Sequence, residues 1–280
     1  MDYTFRFMRF KDGKAKALTL SYDDGVEQDI RLMKILDDNG IKCTFNISAG
    51  RFAKEGTTYP DDKICGRLMS KSQAINLYKN SGHEVAIHGY THPHLTNIPT
   101  NHAMYEIIED RKELEKTFDT LVRGCAYPFG AFNDDVVKIL ELAQIKYART
   151  TISTNKFTMP SDWLRLDPTC HHKSAQLMEL AEKFVELDPK GANLFYVWGH
   201  SYEFDQDNNW DVIENFAQYI GGREDIWYAT NIEIYDYVEA YKNLQITANG
   251  KKVYNPSVID VWMYAEGEVY KIPSGETVKL

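Results

Sequence analysis

Only four cysteines occur in 280 residues, Cys43, Cys65, Cys125 and Cys170, and none forms a C-x-x-C pair. So few and scattered thiols read as buried side chains and exclude a disulfide framework. Positive charge is also in short supply: 32 Lys and Arg stand against 41 Asp and Glu, a net charge of −9. Nucleic-acid binding needs clustered cations, so that class of partner is not expected. There is no basic block to hold a membrane surface, and no apolar run approaches the roughly 18 residues of a membrane span. The start, Met1-Asp2-Tyr3-Thr4-Phe5-Arg6, lacks the basic and apolar regions of a signal peptide, which makes a cytoplasmic location the expectation. Repeats of solenoid length and low-complexity stretches are missing as well.

What the chain does have is 43% hydrophobic residues, enough for a sizeable core, set out in a strand-then-helix rhythm. Lys14–Tyr22 alternates toward an apolar run and stops at an Asp pair. Val26–Asn39 has helical spacing and closes on Gly40. Strands are then expected at Ile41–Ile47, His83–His88, Arg123–Tyr127, Lys146–Ile152, Asn193–Trp198 and Ile226–Ala229. Helices are expected at Lys71–Ser81, from about Asn101 onward, and at Asp134–Gln144, Ser174–Leu187, Val212–Ile220 and Ile232–Leu244. Such alternation predicts an α/β fold with a parallel sheet, open or closed into a barrel. After Leu244 the pattern changes to short strands around the Asn249-Gly250 turn. Residues 1–244 are therefore expected to form the main unit. Residues 245–280 read as a β appendage packed on it, too short for a core of their own.

The polar residues fall at equivalent places in this rhythm. Asp23 and Asp24 end the first strand, His88 ends the third, Pro128-Phe129-Gly130 follows the fourth and His200 ends the apolar strand. In a parallel barrel the active site gathers at the C-terminal ends of the strands, so these features converge. Taken alone, Asp23-Asp24-Gly25 reads as a turn with Asp24 capping a helix. His88 and His92 could share a helix face at i and i+4, but Gly89 and Pro93 disfavour a helix there. With an Asp beside them, two His make a three-ligand set that leaves a coordination position open for water, and a second Asp remains as a base.

These residues resemble the motifs of the polysaccharide deacetylase family, also called the NodB-homology or carbohydrate esterase family 4. The similarity runs from about residue 15 to 202. The family's T-F-D-D-G is similar to Ser21-Tyr22-Asp23-Asp24-Gly25, and its H-S/T-x-x-H to His88-Gly89-Tyr90-Thr91-His92. Its P-Y/F-G is matched by Pro128-Phe129-Gly130, and its L-x-H loosely by Trp198-Gly199-His200. The resemblance implies a distorted (β/α) barrel of seven or eight strands and metal-dependent removal of acetyl groups from N-acetylated or O-acetylated sugars. It further implies Asp24, His88 and His92 as metal ligands, Asp23 as general base and His200 as general acid. Phe129 would supply an oxyanion N–H, with Tyr127 and Trp198 lining the substrate site. Zn²⁺ suits two imidazoles and a carboxylate, and Co²⁺, Ni²⁺ or Fe²⁺ fit the same set.

The chain also departs from the family pattern. Gly89 replaces the Ser or Thr after the first metal His. Ala126 stands where the family has an Arg that pairs with the catalytic Asp, and Arg165 is the expected substitute. Asp162-Trp163 resembles the motif whose Asp orients the catalytic His, with Asp167 as the rival. Cys170-His171-His172 reads first as a strand end with exposed polar residues and second as a cluster near the site. His83 and His94 read as structural or exposed. Two other functions stay open on the sequence: hydrolysis of a small non-sugar amide, and sugar binding without catalysis.

Overall fold

The computed structural model describes residues 5–280. Its centre is strand β2 (Lys16–Asp23), all eight residues of which are buried. A strand buried on both faces belongs inside a parallel sheet covered by helices, and this burial explains the apolar run that precedes the Asp pair. Along one edge β2 pairs in parallel with β8 (Asn193–Gly199), from Lys16↔Asn193 to Tyr22↔Gly199. Along the other its first half meets β9 (Ile226–Tyr228) and its second half β3 (Cys43–Ile47). The sheet continues through β4 (Glu84–Ile87) and β5 (Gly124–Ala126) to β6 (Tyr147–Arg149), and on the far side through β8 to β7 (Cys170–His171).

The strands β6 and β7 form the two edges of this curled sheet. The gap between them is spanned by the intervening segment, where Thr150 N–H donates to Leu166 O (2.9 Å) and Thr169 N–H to Tyr196 O (2.8 Å). The result is a distorted, incompletely closed (β/α) barrel, as the alternating rhythm and the family resemblance imply.

Among the described residues, eight α-helices clothe it: α1 (Asp29–Asp38), α2 (Lys71–Tyr78), α3 (Thr100–Phe118), α4 (Asp134–Leu142), α5 (Leu177–Glu186), α6 (Tyr202–Gln206), α7 (Asp211–Ile220) and α8 (Asn231–Lys242). Their starts follow from local chemistry. Ser70 with Gln73 and Thr230 with Glu233 form reciprocal capping boxes, and Asn133 accepts the Val136 N–H at 2.9 Å. The helix expected from Val26 begins three residues later, because Val26 bridges Leu68 and the Glu27 N–H is committed to Arg67 O (2.8 Å). Among the described residues, no helix is long and apolar enough to cross a membrane.

The C-terminal segment forms two small antiparallel sheets. One joins β12 (Val261–Ala265) and β13 (Glu268–Ile272) with β1 (Arg6–Arg9), so the appendage expected from residues 245–280 also takes in the start of the chain. The other joins β10 (Gln245–Ile246), β11 (Lys252–Tyr254) and β14 (Thr277–Lys279). Tyr237 on α8 ties the first sheet to the barrel: its hydroxyl donates to Arg9 O (2.8 Å) and accepts from Trp262 N–H (2.9 Å).

Candidate active site

At three of the strand ends the chain turns abruptly through left-handed backbone. Asp24 and Gly25 have φ of 82° and 65°, Gly89 and His92 of 72° and 62°, and Phe129 and Gly130 of 59° and 67°. Non-glycine residues held there are strained, and such strain gathers where side-chain aim matters. Gly89 now has a physical reason: at that φ a serine or threonine is disfavoured, and an added Cβ would sit 3.2 Å from Pro128 Cγ. Other groups brace the loop. Glu106 accepts Thr91 N–H (2.7 Å) and its hydroxyl (2.8 Å), and buried Asp110 accepts the N–H groups of His88 (2.9 Å) and Ala49 (2.7 Å).

The turns bring Asp24, His88 and His92 together, with one ligand atom from each within 4.8 Å of the others. His88 Nε2 lies 3.2 Å from His92 Nε2, and Asp24 Oδ1 lies 3.7 Å from His92 Nε2. His88 Nδ1–H donates to the Ala126 carbonyl at 2.8 Å, which leaves its Nε2 lone pair facing the cluster. A carbonyl acceptor behind the imidazole is the arrangement that orients a metal-ligating His. Burial lowers the pKa of His88, while burial and neighbouring His88 bring His92 down to about 4. Two imidazoles held neutral beside a carboxylate suit a divalent transition-metal ion in chemistry and in spacing.

Asp23 lies beneath this set, its side chain 3% exposed. One carboxylate oxygen accepts Asn46 Nδ2–H (2.8 Å), while Arg149 at the end of β6 donates to the other. Burial pushes the Asp23 pKa upward, but the Arg149 guanidinium, with His88 and His200, outweighs it and holds the group at about 2. Arg149 is thus the cation that the Ala126 departure calls for. Arg165, expected in that place, instead pairs with Asp162 and the exposed Asp134, each at 2.6 Å. Trp198 stays near the site, with the Arg149 guanidinium stacked 4.3 Å above its ring. Tyr127 does not line it: its side chain is buried and its hydroxyl donates to Leu164 O at 2.7 Å. Phe129 is exposed, stacked on His94 (3.8 Å between centroids) and edge-on to His92 (4.5 Å).

His200 completes the constellation. Its Nε2 is 3.8 Å from Asp23 Oδ2, and its Nδ1 faces Glu203 Oε2 at 3.2 Å. Burial opposes its protonation, but Glu203 and Asp23 prevail, and the His200 pKa is raised. Asp162 does not orient this ring. Its carboxylate accepts Leu164 N–H (2.9 Å) and Arg165 (2.6 Å), because the chain turns into a short 3-10 helix there. Its rival Asp167 accepts the Thr150 hydroxyl. Glu203, in the first turn of α6, was missed, and its only sequence signal is H-x-x-E spacing from His200. Expected exposed, His172 is buried between Tyr22 and Phe204. His83 is structural, its Nδ1 accepting Cys43 N–H at 3.0 Å.

Comparison with known proteins bears on the family and the fold. The profile of the family described as Polysaccharide deacetylase matches residues 10–148. Chitin deacetylase 1 of Cryptococcus neoformans var. grubii is 25% identical over 118 residues, 42% of this chain and 22% of that protein. The chain therefore spans about a fifth of this curated relative. A Mycobacterium smegmatis structure named for the same family has 17% identity and a TM-score of 0.60, covering 84% of this chain and 94% of its own. A family 4 carbohydrate esterase from Streptomyces lividans, solved with acetate, has 15% identity and a TM-score of 0.51, covering 77% of this chain and 93% of its own. Those two likenesses establish the fold. With its motifs in the family's order, the chain matches the polysaccharide deacetylase family over residues 10–148, just under half of its length.

Proposed function

We propose that this protein removes acetyl groups from acetylated saccharides, with a divalent metal ion held by Asp24, His88 and His92. The observation that carries this reading is the position of Asp23: its Oδ2 lies 3.8 Å from both His88 Nε2 and His200 Nε2. A carboxylate thus stands between a ligand set and a histidine suited to give up a proton. When bound, such an ion polarises an acyl carbonyl and makes a water more acidic; zinc is the favoured metal, and cobalt, nickel or iron are the alternatives.

The chain's own side chains supply the rest. Asp23 accepts the proton of the attacking water. Its contact with Arg149 keeps it ionised, so it acts as an oriented acceptor more than as a strong base. His200, steadied by Glu203, donates a proton to the departing nitrogen or oxygen. The N–H of Phe129, in its left-handed turn, serves as donor to the developing oxyanion. Trp198 offers an apolar wall for the acetyl methyl. The Cryptococcus relative is named a chitin deacetylase, which favours N-acetylated glycans as the first substrates to try.

The test is acetate release from N-acetylglucosamine oligomers and acetylated xylan by zinc-loaded protein, beside Asp23→Asn and a panel of small amides. Release from a saccharide that falls roughly 100-fold or more in the variant supports the reading. Turnover of small amides alone, or equal rates in the variant, would overturn it.

A further inference from the structure

The Cys170-His171-His172 segment is left over by this mechanism, and it converges with Glu203. We propose that His171, His172 and Glu203 form a second site for a divalent transition-metal ion, separate from Asp24, His88 and His92. One ligand atom from each lies within 4.8 Å of the others. His171 Nε2 is 3.2 Å and His172 Nε2 is 3.4 Å from Glu203 Oε2. Two imidazoles and one carboxylate are a recurring zinc donor set, with a position left for water.

A second, independent observation comes from His172. It is 1% exposed, and neither of its ring nitrogens has a hydrogen-bond partner. Unpaired buried polar atoms cost free energy and call for an explanation, and a bound ion is one of the standard ones. The ring is not there by loose packing. It stacks between Tyr22 (5.6 Å, 15°) and Phe204 (4.2 Å, 25°), and it fits only because residue 199 is glycine, whose added Cβ would fall 2.0 Å from His172 Nδ1.

Metal-free hydrogen bonding explains part of the cluster. Glu203 Oε2 can accept from His171 Nε2 and from His200 Nδ1, both at 3.2 Å, and Lys173 N–H donates to His171 Nδ1 at 3.1 Å. Ligation through His171 Nε2 would place the proton on Nδ1 and break that last contact, which lies in an exposed turn where water can replace it. Hydrogen bonding leaves both ring nitrogens of His172 unexplained; an ion would take up the lone pair of Nε2, the nitrogen that faces Glu203 at 3.4 Å. The site shares Glu203 with His200, so occupancy and the orientation of His200 would be coupled.

Metal-free protein, stripped with a chelator, would be loaded with Zn²⁺ or Co²⁺, desalted and counted by elemental mass spectrometry. Wild type is expected to hold two ions per chain, with one in His171→Ala and one in Asp24→Ala, each checked for folding by circular dichroism. The partly exposed position of His171 makes that variant the decisive one, and His172→Gln a second. An ion that survives Asp24→Ala and disappears in His171→Ala supports this site even if the first set binds nothing. One ion in wild type with none in Asp24→Ala, or equal non-zero counts in wild type and His171→Ala, would overturn the proposal while leaving the deacetylase reading standing; no ion in wild type would overturn both.

Discussion

At the scale of single residues, the Asp23–Arg149 pair is the most exacting feature of the barrel interior. Both side chains are nearly sealed from solvent, 3% and 1% exposed. Removing one member of a buried pair leaves the other charged and uncompensated, typically at a cost of about 3–5 kcal/mol. Arg149→Met should therefore destabilise the fold by that order in urea unfolding. The double variant Asp23→Asn, Arg149→Met should recover much of the loss, since no buried charge remains; additive losses would show that the pair is uncoupled. The same pair marks the limit of what the sequence discloses. Asp23, Asp24, His88, His92 and His200 were readable because each sits in a short motif at a predicted strand end. Arg149 was not, although it too ends a strand, because its partner lies 126 residues away and they meet only when β6 curls back across the barrel toward β2. Arg165 looked equally suitable in one dimension, but the fold turns it outward to Asp134.

At the scale of elements, the turns matter as much as the strands that carry them. Pro128-Phe129-Gly130 was visible as a motif, yet its left-handed geometry was not. Gly130 has φ of 67°, and a Cβ added there would lie 2.2 Å from Thr151 Oγ1. Gly130→Ala is expected to lose about 1–3 kcal/mol from backbone strain and overlap. It should also move the Phe129 N–H proposed as the oxyanion donor. Loss of kcat beyond the loss of folded protein, measured with active-site titration and thermal melts, would show that the turn aims the donor; a melt shift with kcat unchanged would mean that it serves packing only. The helix after β8 carries the parallel lesson. The first turn of α6 places Glu203 behind His200, a role that sequence resemblance assigned to Asp162, because the family motif predicts a residue type near a strand but not which neighbouring turn delivers the carboxylate.

At the scale of the whole molecule, one buried acid links three separate parts of the fold. Asp29 opens α1, accepts the Tyr78 hydroxyl from α2 at 2.6 Å, and accepts the Ser201 hydroxyl just after His200. It is fully buried, and burial, only partly offset by those two hydrogen bonds, raises its pKa to about 7. A carboxyl whose folded pKa lies above its unfolded value binds its proton more tightly in the folded state. Stability therefore falls as pH rises from the unfolded value near 4 toward 7, and it is level outside that window. The shift from 3.8 to about 7 corresponds to about 4 kcal/mol, at roughly 1.4 kcal/mol per unit. Glu84, buried among Thr44, Tyr147 and the Ile232 N–H and also raised to about 7, slopes the same way, so the wild-type curve alone does not isolate Asp29. The difference between wild type and Asp29→Asn does, because the Glu84 contribution cancels. Urea unfolding of metal-free protein across pH 4 to 8.5 should show the Asp29→Asn variant gaining on wild type as pH rises, by a few kcal/mol between the ends. Parallel curves would mean that Asp29 ionises in the fold as easily as in water, and that the junction of α1, α2 and the turn after β8 is open to solvent.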